Sequence, residues 1–236
     1  MLSALNDKIT IIGSPISPYV RKILITLEMK SIEFDCVPQV PFFPTEEFKT
    51  LSPLGRIPVL KQGTFVLPDS SAIIQYLEDL VPTPSVFPRG SQNKAQALWF
   101  EEYGDDYLGR TAVYNLFFQK VVRPLVLKQP ADNTLIEQAL SVQLPKAMTY
   151  LEGKVPQEGY FFDELSIADI TLSSMLLNAI FAGWQIDAVQ WPKMASYLER
   201  VYAHPVVAKY NALANKLRKL SHTEHQEAVN ECIATP

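Results

Sequence analysis

Three short segments carry side chains that could do chemistry. In Gly13-Ser14-Pro15-Ile16-Ser17-Pro18-Tyr19-Val20-Arg21-Lys22 a serine precedes a proline where the β-rich run Lys8 to Ile12 gives way to a helical pattern. Ser17-Pro18 reads as N-cap before first helical residue, the serine oxygen taking an orphan N–H and the proline fixing φ without wasting a donor. The same placement sets a hydroxyl at the positive end of a helix, beside backbone N–H groups, at the carboxyl edge of a sheet, where α/β folds put ligands. In Leu54-Gly55-Arg56-Ile57-Pro58-Val59-Leu60 the proline removes a ladder donor, so it belongs at a strand start or an edge, and a cis Ile57-Pro58 bond is compatible with that place. The N–H and C=O of Ile57 are then open to an extended ligand, or simply mark an ordinary edge. In Pro68-Asp69-Ser70-Ser71-Ala72-Ile73 an acid and two serines enter an amphipathic helix. Asp69 or Ser70 serves as an N-cap; alternatively Ser70 and the helix end hold a carboxylate while Asp69 holds an ammonium, which suits a zwitterionic amino-acid head.

Other reactive residues are less well placed. Cys36 and Cys232 are the only two cysteines, without CxxC or zinc-site spacing, so both are expected to be reduced and neither catalytic. His222 and His225 have the spacing of two ligands on one helical turn, but no third ligand joins them, and no metal is expected. His204 before Pro205 marks a helix end. Twenty-one basic and twenty-five acidic residues leave a net charge of -4 with no block of like charge, so nucleic acid is not an expected partner. No window reaches the ~18 uninterrupted apolar residues of a membrane span. Met1 to Lys8 lack the basic-then-apolar design of a signal. A cytoplasmic protein without a membrane partner is expected.

The elements that must position these residues fall into two unlike halves. From residue 8 to about 80, β-rich runs alternate with helical segments: a strand at Lys8 to Ile12, a helix from Pro18 to about Met29 with Ile23, Leu24 and Leu27 on its apolar face, and a parallel strand at Ile32 to Val37. A proline-rich connection with one helical turn near Thr45 to Leu51 leads to a hairpin of Ile57 to Leu60 and Thr64 to Leu67, then a helix at Ser71 to Leu80. Val81 to Pro88 holds three prolines and cannot continue a helix. Beyond it, helices are expected near Gln92 to Gln119, Thr134 to Glu152, Ile167 to Phe181, Pro192 to Ala203 and Val206 to Leu220, with no element assigned after Ser221. The predicted domains are residues 1–82 and 92–236, joined by a linker over 83–91. Ser166-Ile167-Ala168-Asp169 reads as a capping box with Leu165 and Ile170 as its hydrophobic staple, a structural motif. The first long helix is rich in aromatics, and Tyr103, Tyr107 and Tyr114, at steps of four and seven, are expected to share a face.

The order of these pieces resembles the cytosolic glutathione transferases over essentially residues 8 to 220. The resemblance implies an α/β thioredoxin-like N-terminal domain followed by an all-α helical-bundle domain. Ser17 looks like the catalytic serine of the serine-type members, in the place that cysteine fills in the omega type. Ser14 is the rival hydroxyl, and counting back from Lys22 favours Ser17. Ile57 resembles the residue whose backbone pairs with the cysteinyl part of glutathione. Asp69-Ser70 stands where the family usually has Glu-Ser holding the γ-glutamyl group, and Arg56 occupies a place that steadies the glycyl carboxylate. In the resembling family the long helix lines the acceptor-substrate pocket, which makes Tyr103, Tyr107 or Trp184 a candidate contact for an apolar electrophile, core packing being the other reading. Glutathione is thus the expected co-substrate, with no metal, in a detoxifying transferase. Glutathione-dependent isomerisation, dehalogenation or peroxide reduction, or a non-catalytic binding module on the same fold, are the alternatives. A homodimer is expected as well, with Phe42, Phe43 or Phe48 as its aromatic contact.

Overall fold

The computed structural model describes residues 7–235, so the reading of the leader from Met1 to Asn6 lies outside the described residues. The elements of the first half are β1 (Ile9–Ile12), α1 (Pro18–Met29), β2 (Phe34–Val37), α2 (Glu46–Leu51), β3 (Val59–Gln62), β4 (Phe65–Pro68) and α3 (Ser70–Leu80). Then come α4 (Ser91–Glu102), which runs without a break into a π-helical stretch (Tyr103–Val126), α5 (Asn133–Gln138), α6 (Leu144–Glu152), α7 (Ile167–Phe181), α8 (Pro192–Ala203), α9 (Pro205–Leu217) and α10 (His225–Ala234). The expected mixed-sheet half and helical half are both present. Among the described residues no helix is long and apolar enough to cross a membrane.

The chain packs as two units, one running to Val86 and resuming at Pro205, the other spanning Phe87–His204. In the first, the strand order is β2-β1-β3-β4, with β1 and β2 parallel and the other pairs antiparallel. A parallel pair needs a crossover, which α1 supplies. Val20, Ile23, Leu24 and Leu27 recur at helical spacing on α1 and are wholly buried, together with Ile11 of β1 and Ile73, Ile74 and Leu77 of α3. Arg21 and Lys22 are equally buried, which one apolar face on α1 does not anticipate.

The proline-rich segment after α3 is tied down at its start. The Lys30 ammonium, fully buried, pairs with Glu78 at 2.7 Å. It also donates to the carbonyls of Val81 and Pro84, both at 2.7 Å, which satisfies all three of its protons. Glu78 in turn accepts from the Ser85 hydroxyl and the Val86 N–H. Residues 205–235, grouped in sequence with the helical half, pack with the sheet, α9 lying on α1 and α10 on β2. Glu28 of α1 accepts from Lys209 at 2.7 Å and from the Tyr210 hydroxyl at 2.6 Å, and Gln226 of α10 donates to the Cys36 carbonyl at 2.9 Å.

In the second unit α7 is the central helix, buried from Ile167 to Ala179. Its start is the expected box: Asp169 Oδ2 accepts from the Ser166 N–H at 2.9 Å and the Ser166 hydroxyl at 2.7 Å, over the buried pair Leu165 and Ile170. Asp169 Oδ1 accepts from the Phe161 N–H and the Tyr197 hydroxyl. Burial pushes the Asp169 carboxyl above the usual carboxylate range, and these four hydrogen bonds hold it back. The folded chain therefore takes up this proton more readily than the unfolded chain. That contribution to stability is fully present below the unfolded pKa and is lost as pH rises through the folded value. Gly104 lets the π stretch approach α7, since a Cβ there would meet Thr171 Cγ2 at 2.7 Å.

Candidate active site

The turn before α1 is held by backbone and Ser14 hydrogen bonds. Ser14 N–H donates to the Gln39 carbonyl at 2.8 Å, Ser17 N–H donates back to the Ser14 carbonyl at 2.9 Å, and the Ile16 N–H reaches Ser14 Oγ at 3.4 Å. The carbonyls of Pro15 and Ile16 accept from Arg21 Nη1 at 3.1 and 2.8 Å, and the Ser17 carbonyl accepts the first helical bond from the Arg21 N–H. Ser17 sits at the N-cap with extended backbone, followed by Pro18, yet its hydroxyl makes no capping bond. Capping thus does not account for Ser17, which is half-buried, whereas Ser14 is 2% exposed with its oxygen turned to the turn's own backbone.

Register brings the other two segments to the same place. Ile12 pairs with Val59 and Val59 with Pro68, so Gly13, Pro58 and Asp69 lie side by side just past the end of the sheet. Gly13 is the close contact there: a Cβ on it would stand 2.6 Å from Val20 Cγ2 and 3.2 Å from Ile57 Cβ. The Ile57-Pro58 peptide is cis, and no turn or loop backbone hydrogen bond engages Ile57. Ser52, which sequence reasoning did not single out, shapes the approach. Its buried hydroxyl donates to the Arg56 carbonyl at 2.8 Å and accepts from the Arg56 N–H at 3.0 Å. The Arg56 side chain is exposed.

Asp69 is the N-cap of α3, with Oδ1 accepting from the N–H groups of Ser71 and Ala72, both at 3.0 Å. Its second oxygen is left for another donor, and Ser70, buried beside it, opens the helix. Asp69 holds φ at 93°, in a region that non-glycine residues seldom adopt; such strain collects at ligand clamps. The three segments thus assemble one hydroxyl, one open backbone edge and one carboxylate with a helix N-terminus along a single rim.

The aromatic residues of the helical unit do not gather into one group. Tyr103 and Tyr107 stack with centroids 5.3 Å apart, and Tyr103 meets Tyr150 at 4.9 Å. Burial, reinforced by these two phenols, raises the Tyr103 hydroxyl well above its ordinary range. Tyr114 is 46% exposed and does not join them. The reason is the winding: bonds such as Leu127 N–H to the Val122 carbonyl span five residues, so a seven-residue step no longer returns to the same face. Gly104 lies by Thr171 and Phe117 by Phe181, so the π stretch and α7 run parallel. Trp184 stands just past α7, its N–H donating to the Ala179 carbonyl at 3.0 Å.

Neither cysteine offers an enzyme thiolate. Burial, with a smaller effect of Cys232, pushes the Cys36 thiol up to about 12, and burial raises Cys232 as well. Among the described residues no group of three or more His, Cys, Asp or Glu side chains could hold a metal ion. A groove of about 510 Å³ beside β1, lined by Thr10, Ile12, Phe48, Leu51 and Lys61 among others, includes none of Ser17, Arg56, Ile57, Asp69, Ser70, Tyr103, Tyr107 or Trp184.

Residues 11–85 match the glutathione S-transferase N-terminal domain, and residues 117–213 match the glutathione S-transferase C-terminal domain. Glutathione S-transferase theta-1 of Bos taurus is 30% identical over 162 residues, 67% of this chain and 66% of that protein, so the match spans just under two thirds of that relative. Maleylacetoacetate isomerase of Mus musculus is 26% identical over 74% of this chain and 78% of its own. The human glutathione-S-transferase T1-1 structure, apo form, superposes with a TM-score of 0.78 at 21% identity, covering 95% of this chain and 98% of that one. With both domains matched in order and the mixed sheet and helical half both in place, the chain belongs to the cytosolic glutathione transferase family.

Proposed function

We propose that the protein is a glutathione transferase of the serine type, which ionises the glutathione thiol at Ser17 for attack on an apolar electrophile. The observation that carries this reading is the Ser17 hydroxyl: it stands at the N-cap of α1, yet makes no capping bond. A thiol with a pKa of about 8.5 is only a few per cent ionised at neutral pH. Bringing it to ~6.5 requires about 2.7 kcal/mol in favour of the thiolate. A helix N-terminus contributes up to ~2 kcal/mol, and a hydroxyl bond to a charged group roughly 1.5–3. The two together suffice, whereas the helix alone falls short. Ser17 acts as a hydrogen-bond donor and not as a base. Thiol–disulfide exchange through the enzyme is not part of the reading, since it needs an enzyme thiol that serine lacks.

In this reading Asp69 and Ser70 hold the γ-glutamyl end, the Ile57 backbone the cysteinyl part, and Arg56 the glycyl carboxylate. Tyr103, Tyr107 and Trp184 are proposed contacts for the electrophile. Similarity to a maleylacetoacetate isomerase favours a second reading, in which the same thiolate adds reversibly and isomerises its substrate. Either activity fits the cytoplasm, where reduced glutathione is abundant, and the first is a detoxifying one. On immobilised glutathione the protein is expected to be retained, to elute with free glutathione, and to turn over a chloro-dinitro aromatic. Flow-through without turnover would show a binding module instead.

The active form is proposed to be a homodimer with an isologous contact. Of the three candidate aromatics, Phe48 is 3% exposed and packs within its own unit, whereas Phe43 is 61% exposed. Light scattering is expected to give a mass near twice 26.6 kDa at micromolar concentration, with Phe43→Ser shifting it toward the monomer. A concentration-independent monomer of wild type rules the dimer out.

A further inference from the structure

We propose that Arg21 is the positioning residue for Ser17, clamping the turn so that the serine hydroxyl points to the glutathione sulfur. This rests on the transferase reading above. The need for a side-chain clamp follows from the turn's composition. Pro15 and Pro18 bring no N–H, and the N–H groups of Ile16 and Ser17 are already used on Ser14, so none of these four residues supplies a backbone donor to the carbonyls of Pro15 and Ile16. Arg21, one helical turn beyond Ser17, reaches back toward the N-terminus as helical side chains do and serves both carbonyls from Nη1, at 3.1 and 2.8 Å.

Its burial makes the clamp rigid. Arg21 is 0% exposed on a helix whose neighbouring side chains Val20, Ile23 and Leu24 are also fully buried, an expensive place for a cation. Ser17 is fixed on both sides: its carbonyl takes the Arg21 N–H at 3.0 Å, and the residue before it is held by the Arg21 guanidinium. Rotation of the turn would therefore break Arg21 contacts before it could move the Ser17 hydroxyl.

Arg21→Gln and Arg21→Lys separate this role from a merely structural one. In the ligand-free protein, amide hydrogen exchange at Ser17 is expected to speed up about tenfold or more in Arg21→Gln, with protection elsewhere on α1 retained. In the glutathione complex, ultraviolet titration of the thiolate is expected to show the bound thiol pKa raised by about one, and kcat at pH 6.5 to fall about fivefold with little change in KM for glutathione. Arg21→Lys, shorter by one bond, is expected to fall between wild type and Arg21→Gln in both readouts; it also stands in if Arg21→Gln does not fold. Because Arg21 acts through Ser17, adding Arg21→Gln to Ser17→Ala is expected to change the thiol pKa no further. Unchanged Ser17 exchange in both variants, or fully additive effects in the double variant, would overturn the clamp. If wild type binds no glutathione, the transferase reading fails by itself, and the exchange measurement still decides the clamp.

Discussion

Ser17→Ala is expected to lower turnover with glutathione more than tenfold between pH 6 and 7 while leaving glutathione affinity nearly unchanged. The hydroxyl hydrogen bond to a thiolate, roughly 1.5–3 kcal/mol, favours the ionised form alone, so its loss appears as a higher thiol pKa rather than as weaker binding. The defect should shrink as pH rises past the new pKa, since a thiol that ionises without help no longer needs the serine. Folding is expected to survive, because the Ser17 hydroxyl makes no capping bond and Pro18 still opens α1. Ser14→Ala should be mild, as its oxygen holds only the Ile16 N–H at 3.4 Å. Ser17→Cys should gain thiol transferase activity if the side chain faces the glutathione sulfur. Equal rates for wild type and Ser17→Ala across pH 6 to 8 would show the assignment to be wrong.

What could be read from the sequence is what local pattern determines. The strands, α1, α3, the hairpin and the Ser166–Asp169 box announce themselves through period, proline placement and cap chemistry, each within a dozen residues. The candidate rim was also legible, because Ser17, Ile57 and Asp69 each stand at an element boundary. Their convergence needed the strand register, Ile12 to Val59 to Pro68, which no single segment encodes. The role of Arg21 stayed hidden because a basic residue in a helical pattern is indistinguishable from a solvated one until its burial is seen. α10 was missed for a related reason. Only His225, Ala228 and Val229 of its ten residues are buried, a stripe too thin to stand out, and its partner Cys36 is 190 positions from Gln226. Tyr114 was misplaced because the usual helical period was applied where the chain winds more widely.

Asp69→Ala is expected to weaken glutathione binding by roughly 1–2 kcal/mol, about five- to thirtyfold, and also to cost about 1 kcal/mol of stability through the lost cap on α3. The two effects have different causes and can be separated. Asp69 Oδ1 is committed to the Ser71 and Ala72 N–H groups, which leaves Oδ2 and the net charge for an incoming ammonium. Asp69→Asn retains an oxygen for the cap and tolerates positive φ, so it should keep its melting temperature and still bind glutathione several-fold more weakly. Asp69→Glu should do the reverse, binding as well as wild type or better with the charge carried one methylene further, but capping poorly. Calorimetric binding beside thermal melts reads both quantities on the same samples. If neither Asp69→Ala nor Asp69→Asn alters the dissociation constant, the carboxylate is only a helix cap and the γ-glutamyl group is held elsewhere. If Asp69→Asn alone is weakened while its melt is unchanged, charge and not helix integrity holds the ligand at this rim.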